Sequence, residues 1–204
     1  PRDWSSDVCS SDLPLTRGLA DARGALAAHL AGLLARAGAR STVEPVTGPL
    51  AAWLADRLDG EAGAIVTGSG SVPLLRPADA ARLVAVAASG RPAVLTNNRW
   101  SSDLLATGDA PALVALLRAM PDLAADNGLP RLLAERAGAT VAELPGRERL
   151  ALDIDTPLDL ALVARVRGAP ALLRTAAADL GITIPRLDAL RVTVRDPRAE
   201  LLVA

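Results

Sequence analysis

One stretch narrows the choice of fold further than any other: Ala64 to Asp79, Ala-Ile-Val-Thr-Gly-Ser-Gly-Ser-Val-Pro-Leu-Leu-Arg-Pro-Ala-Asp. Ala64–Thr67 reads as a short buried strand, Gly68–Ser71 as a turn, and Pro77 as the first residue of a helix. Glycines at Gly68 and Gly70 serve either to reach backbone angles closed to other residues or to let another group come close. A strand that ends in a glycine turn and feeds a helix is the usual ligand position in an open α/β sheet.

The rest of the chain repeats that alternation. Apolar spacing predicts helices over Arg17–Ala37, Leu50–Leu58, Pro77–Ser89, Asp109–Arg118 and Pro130–Ala137. Strands are expected at Arg40–Val46, Pro92–Thr96, Leu104–Thr107, Thr140–Leu144 and Leu150–Ile154. Thr156, Pro157 and Asp159 have the order of a helix cap, so a helix over Leu158–Val166 follows. Ala169–Leu180 and a segment from Pro185 read as further helices. Strands alternating with helices imply βαβ units and a mostly parallel sheet. One domain over residues 14–167 and a helical extension over 168–204 account for the chain beyond its first thirteen residues.

Asp3–Leu13, Asp-Trp-Ser-Ser-Asp-Val-Cys-Ser-Ser-Asp-Leu, back-translates codon by codon into a sequencing-adapter oligonucleotide. Residues 1–13 are therefore read as artefactual and carry no fold information. Cys9, the single cysteine, falls inside them, which removes disulfides, thiolate nucleophiles and cysteine-ligated zinc. Lysine is absent throughout, which excludes a P-loop lysine and Schiff-base chemistry. The net charge of −1 and the absence of Phe and Tyr argue against a nucleic-acid surface. No apolar run approaches the ~20 residues needed to span a bilayer, so no membrane partner is expected.

Three polar groups stand out. Asp153 and Asp155, two apart at the end of an expected strand, would share a face and could hold one Mg²⁺. The run Asn97–Asp103 follows a strand: Arg99 suits a phosphate, and Asn97 or Asn98 suits a polar ring edge. Asp122, Asp126 and Asn127 lie in a turn-forming loop. His29, the single histidine, sits among apolar residues of a helix, so Ser-His-Asp and Cys-His chemistry find no support.

Two segments in order resemble a known family. Gly70-Ser-Val-Pro-Leu-Leu-Arg-Pro-Ala-Asp79 resembles the Gly-Asp-x-Pro-Leu-x-x-Pro-x-Asp segment of MobA-like nucleotidyltransferases, which include the molybdenum-cofactor and phospholactate guanylyltransferases. Leu152-Asp-Ile-Asp-Thr-Pro-Leu-Asp-Leu160 is similar to their Asp/Asn-x-Asp/Asn-Thr-Pro-x-Asp-Leu segment. The resemblance covers about Pro14–Val166. It implies a Rossmann-like three-layer sandwich whose first strand is missing here. It also implies a cytoplasmic location and transfer of a nucleotidyl group from an NTP to a small phosphorylated acceptor, assisted by Mg²⁺. Carried across, Asp153 and Asp155 become metal ligands, and Gly68, Gly70, Ser71, Asn97, Asn98 and Arg99 become substrate-binding candidates; no residue is given a catalytic role. The family's acid after Gly70 is replaced by Ser71, and its N-terminal glycine-rich loop would fall where the adapter-like residues stand. Two other readings stay open: a non-catalytic nucleotide- or metabolite-binding relative, and a nucleotide-sugar glycosyltransferase using Asp153-Ile-Asp155.

Overall fold

A computed structural model describes residues 14–196 and 198, apart from 124 and 126. The adapter-like segment with Cys9, the candidate Asp126 and the last residues of the chain lie outside that set.

Four strands form one sheet: β1 (Ala64–Thr67), β2 (Ala93–Thr96), β3 (Leu104–Thr107) and β4 (Thr140–Glu143), in the spatial order β1-β3-β2-β4. β1 and β2 both pair antiparallel with β3, while β2 and β4 pair in parallel. Three strands thus run one way and β3 runs against them. The sheet is mixed, which corrects the expectation of a mostly parallel one. The cause is a length. Only seven residues, Asn97–Asp103, join β2 to β3, whereas a parallel return needs a crossover of a dozen or more. The chain turns back on itself instead, and the turn is internally bonded. Thr96 Oγ1 and Ser102 Oγ lie 2.7 Å apart, and each reaches the Leu104 carbonyl at 2.8 Å.

Two apolar cores occupy the two faces of this sheet. Side chains alternate along a strand, so Leu95, Leu104 and Ala106 enter one core while Val94 and Leu105 enter the other. The first core gathers α1 (Pro14–Arg36), α3 (Pro77–Ala87), α7 (Pro157–Ala164) and α8 (Ala171–Asp179), with Leu26, Leu83, Leu160 and Leu173 all at 0% exposure. The second gathers α2 (Leu50–Leu58), α4 (Ala110–Ala119) and α5 (Leu129–Ala137) through Leu54, Leu113, Leu117 and Leu133. Within the C-terminal extension, α8 is thus part of the first core. α9 (Pro185–Arg195) follows it, with Val192 and Val194 exposed.

Local sequence explains the helix starts. The Asp109 side chain accepts a hydrogen bond from the Ala112 amide at the start of α4. At α7, Thr156 Oγ1 accepts from the Asp159 amide and Asp159 Oδ2 accepts from the Thr156 amide, the reciprocal cap read from the sequence.

Two expected strands do not form. Arg40–Val46 joins no ladder; Pro45 lacks a donor, and the segment is held by ion pairs of Arg40 with Glu61 and of Glu44 with Arg57. Leu150–Ile154 begins as the end of a short helix, α6 (Arg147–Leu150), and then makes a single bridge in which Asp153 faces Ser71. Arg149 anchors the start of this path. Its guanidinium grips Asp79 at 2.8 and 2.9 Å and donates to the Leu74 and Pro145 carbonyls, which ties α6 to the start of α3.

Among the described residues, no helix is long and apolar enough to cross a membrane.

Candidate functional site

Three chain segments leave the sheet at the same end. β1, β2 and β4 all finish there, and β3 begins there: Thr67 faces Leu104, and Thr96 faces Glu143. Gly68–Ser71 and Asn97–Asp103 are therefore brought together, as an α/β sheet does at its carboxyl edge. The Asp103 carbonyl joins them directly, accepting from Thr67 Oγ1 at 3.2 Å and from the Gly68 amide at 3.4 Å.

The third segment arrives through the bridge between Ser71 and Asp153. Next to it, the Ile154 amide donates to the Gly70 carbonyl at 3.0 Å. The two motifs that stand far apart in sequence thus share one backbone contact. Asp153 and Asp155 do not, however, lie on a regular strand as expected, so the shared-face argument fails. Asp153 is half-buried and Asp155 is exposed, with 66% of its side chain accessible. Their charges still act on each other.

The glycines of the turn are needed for space rather than for unusual angles. Neither Gly68 nor Gly70 has a positive φ; the residue that does is Val72, at +43°. A Cβ on Gly68 would stand 2.7 Å from Ser71 Oγ. One on Gly70 would stand 2.9 Å from Asp153 Oδ1, 2.8 Å from the Ile154 carbonyl and 3.2 Å from Arg23 Nε. Val72 adopts a left-handed backbone that a β-branched residue rarely takes, and its side chain is fully buried in the first core. That anchoring holds the strained turn in place, with Ser71 at 6% exposure.

Electrostatics centre on Asp153. Desolvation raises its pKa above the usual carboxylate range. The Ile154 amide, donating to Oδ1 at 2.8 Å, opposes this; Asp155 and Asp103 push further up, and Arg23 pulls down. Arg23 Nη1 also lies 3.9 Å from Asp155 Oδ1. His29, on the same helix α1, has its pKa lowered by burial and by the charge of Arg36.

Asn97 is buried, and its side chain is spent on the protein. Nδ2 donates to Asp103 Oδ2 at 2.9 Å and to the Leu150 carbonyl at 2.9 Å, while Oδ1 accepts from the Asp103 and Leu104 amides. Asn97 therefore orients Asp103. Asn98 Oδ1 accepts from the Trp100 amide, closing the loop. Arg99 is exposed; its guanidinium covers the Trp100 ring at 5.2 Å and its amide donates to Glu143. The charges acting on Asp153 do not include Arg99. Asp122 and Asn127 stay on the surface, where the Asn127 carbonyl accepts from the Ser102 amide.

Sequence reading missed two members of this site. Asp103 stood inside a run already singled out, and the seven-residue connection would have placed it opposite the end of β1. Arg23 had no signal, because it lies on a helix with no motif around it.

For Mg²⁺, the donor set is partial. Mg²⁺ is usually held by one or two carboxylates, with waters and substrate phosphates completing the shell, and Asp153 with Asp155 fits that use. Among the described residues, no group of three or more acids, histidines or cysteines is placed to hold a metal by itself. Beside the turn, a groove of about 410 Å³ runs between α1, α2 and β1, lined among others by Gly24, Val46, Trp53, Val66, Gly68 and Ser69.

Compared with known proteins, the chain matches no family model, no curated protein and no solved structure.

Proposed function

We propose that this chain is a nucleotidyltransferase-like protein of the cytoplasm that binds an NTP at the carboxyl edge of its sheet. It would pass the nucleotidyl group to a small phosphorylated acceptor, on a Rossmann-like three-layer arrangement. The observation that supports this most is the Ser71–Asp153 bridge, which gathers both motif-like segments into one site. The groove beside Gly68 and Ser69 has a volume within the usual range for small-molecule sites.

In this reading an acceptor phosphate oxygen bonds to the α-phosphorus while the bond to the leaving pyrophosphate breaks. Mg²⁺, when bound, neutralises charge on the phosphates. Asp153 and Asp155 are the residues that would hold it. Gly70, lacking a side chain, keeps the approach to Asp153 open. Asn97 fixes Asp103, whose carboxylate adds to the negative field at Asp153. The order imposed by these contacts aligns the reacting groups.

The test is pyrophosphate release from ATP, GTP, CTP or UTP with Mg²⁺ and a panel of phosphorylated acceptors. Release that disappears in Asp153→Ala supports the reading; binding without release under every acceptor counts against transfer. A second reading, a binding protein without transfer, draws on Ser71. Its hydroxyl lies against Gly68 where the MobA-like enzymes that the motif resembles have an acid. That reading predicts nucleotide affinity, seen by calorimetry, with no product.

A further inference from the structure

We propose that Arg23, on α1, is the side chain that contacts the phosphates at this site. The inference deepens the nucleotide reading above and names an anion-binding residue that no motif points to.

Three observations carry it. First, position: α1 buries Ala22, Leu26 and Leu30 in the first core, and Arg23 stands beside that stripe. Its Nε comes within 3.2 Å of the place a Gly70 Cβ would occupy. The guanidinium therefore reaches the very space that the glycine leaves empty, next to Asp153. Second, commitment: an arginine that serves the fold is saturated by it, as Arg149 is by Asp79 and two carbonyls. Among the described residues, Arg23 has one loose ion pair, 3.9 Å to Asp155, and 38% of its side chain is accessible. Its planar fork of donors is left open for a bidentate anion. Third, charge: Asp153, Asp155 and Asp103 alone would repel a polyphosphate. Arg23 is the positive charge that acts on Asp153, so it supplies the attraction that the acids lack. Arg99, the arginine the sequence suggested, is engaged with Trp100 instead.

The experiment is calorimetric titration of the full chain with MgATP, MgGTP and inorganic pyrophosphate. Arg23→Ala is expected to weaken all three by about tenfold or more, the usual scale for a charge-assisted contact. Arg23→Lys should recover part of the affinity, since it keeps the charge but not the fork. Arg82→Ala, which removes an exposed arginine of α3, should leave binding unchanged and so excludes a general effect of net charge. Arg23→Met keeps the packing of the stem and must show the same loss as Arg23→Ala at an unaltered melting temperature. Binding of Arg23→Ala or Arg23→Met within about twofold of the natural chain overturns the proposal. If those variants bind normally while Asp153→Ala does not, the Arg23 assignment falls and the nucleotide reading stands. If pyrophosphate binds in an Arg23-dependent way but no nucleotide does, the assignment stands and the nucleotide reading falls. If the natural chain binds none of the three, both fall.

Discussion

Asp153 is the residue whose ionisation matters most to this fold. Its carboxyl is pushed up by desolvation first and by the neighbouring acids second. A carboxyl whose folded-state pKa is raised holds its proton more tightly in the folded chain than in the unfolded one. Its effect on stability is then favourable at low pH and is lost as pH rises through the folded-state pKa. Asp153→Asn keeps an oxygen for the Ile154 amide and removes the charge. Without added divalent cation, this variant is expected to melt higher than the natural chain at neutral pH. Changes of this size are about 0.5 kcal/mol, or about 1–2 °C in a chain of this length. The gain should vanish as the pH falls below the ordinary carboxylate range. Thermal melts between pH 3 and pH 8 measure it, and a loss of stability at neutral pH would contradict the assigned cause.

Among the elements, the helices were the legible part. The bounds of α2 follow from apolar spacing, and the start of α7 from Thr156, Pro157 and Asp159, because caps and periodicity are local signals. What the sequence hid was non-local. The reversal of β3 depends on which strand is its neighbour, although the shortness of Asn97–Asp103 was a usable clue. The short helix that takes the place of the strand's start at Leu150 is tied down by Arg149 meeting Asp79, two side chains on different helices. The site divides the same way. Gly68, Gly70, Ser71, Asp153 and Asp155 were read from motif and turn chemistry, while Arg23 reached them only through the packing of α1. Arg149 offers an element-scale test. Both partners are largely buried, with side-chain exposures of 17% and 5%. Arg149→Leu leaves the Asp79 carboxylate unpaired, which costs about 3–5 kcal/mol. Denaturant unfolding should show that loss, whereas removing the exposed Arg131–Glu135 pair should cost under about 1 kcal/mol.

At the scale of the molecule, the sheet is shared between two cores. Leu83 lies in one and Leu117 in the other, each at 1% exposure or less. Leu83→Ala and Leu117→Ala are each expected to cost about 2–5 kcal/mol. Because β2 and β3 contribute side chains to both faces, each variant should still unfold in one transition by fluorescence and by circular dichroism; separate transitions would mean two independent units. The same sharing gives the bond between the Gly70 carbonyl and the Ile154 amide a second meaning. It is a clock. That amide bonds across the Ser71–Asp153 bridge to the Gly70 carbonyl and also to Asp153 Oδ1, so its exchange with deuterium reports how often this junction of the two walls opens as a whole. Exchange of Ile154 faster than that of the core amide of Leu83, and slowed by bound pyrophosphate, would give the opening rate of the site without any knowledge of what it binds.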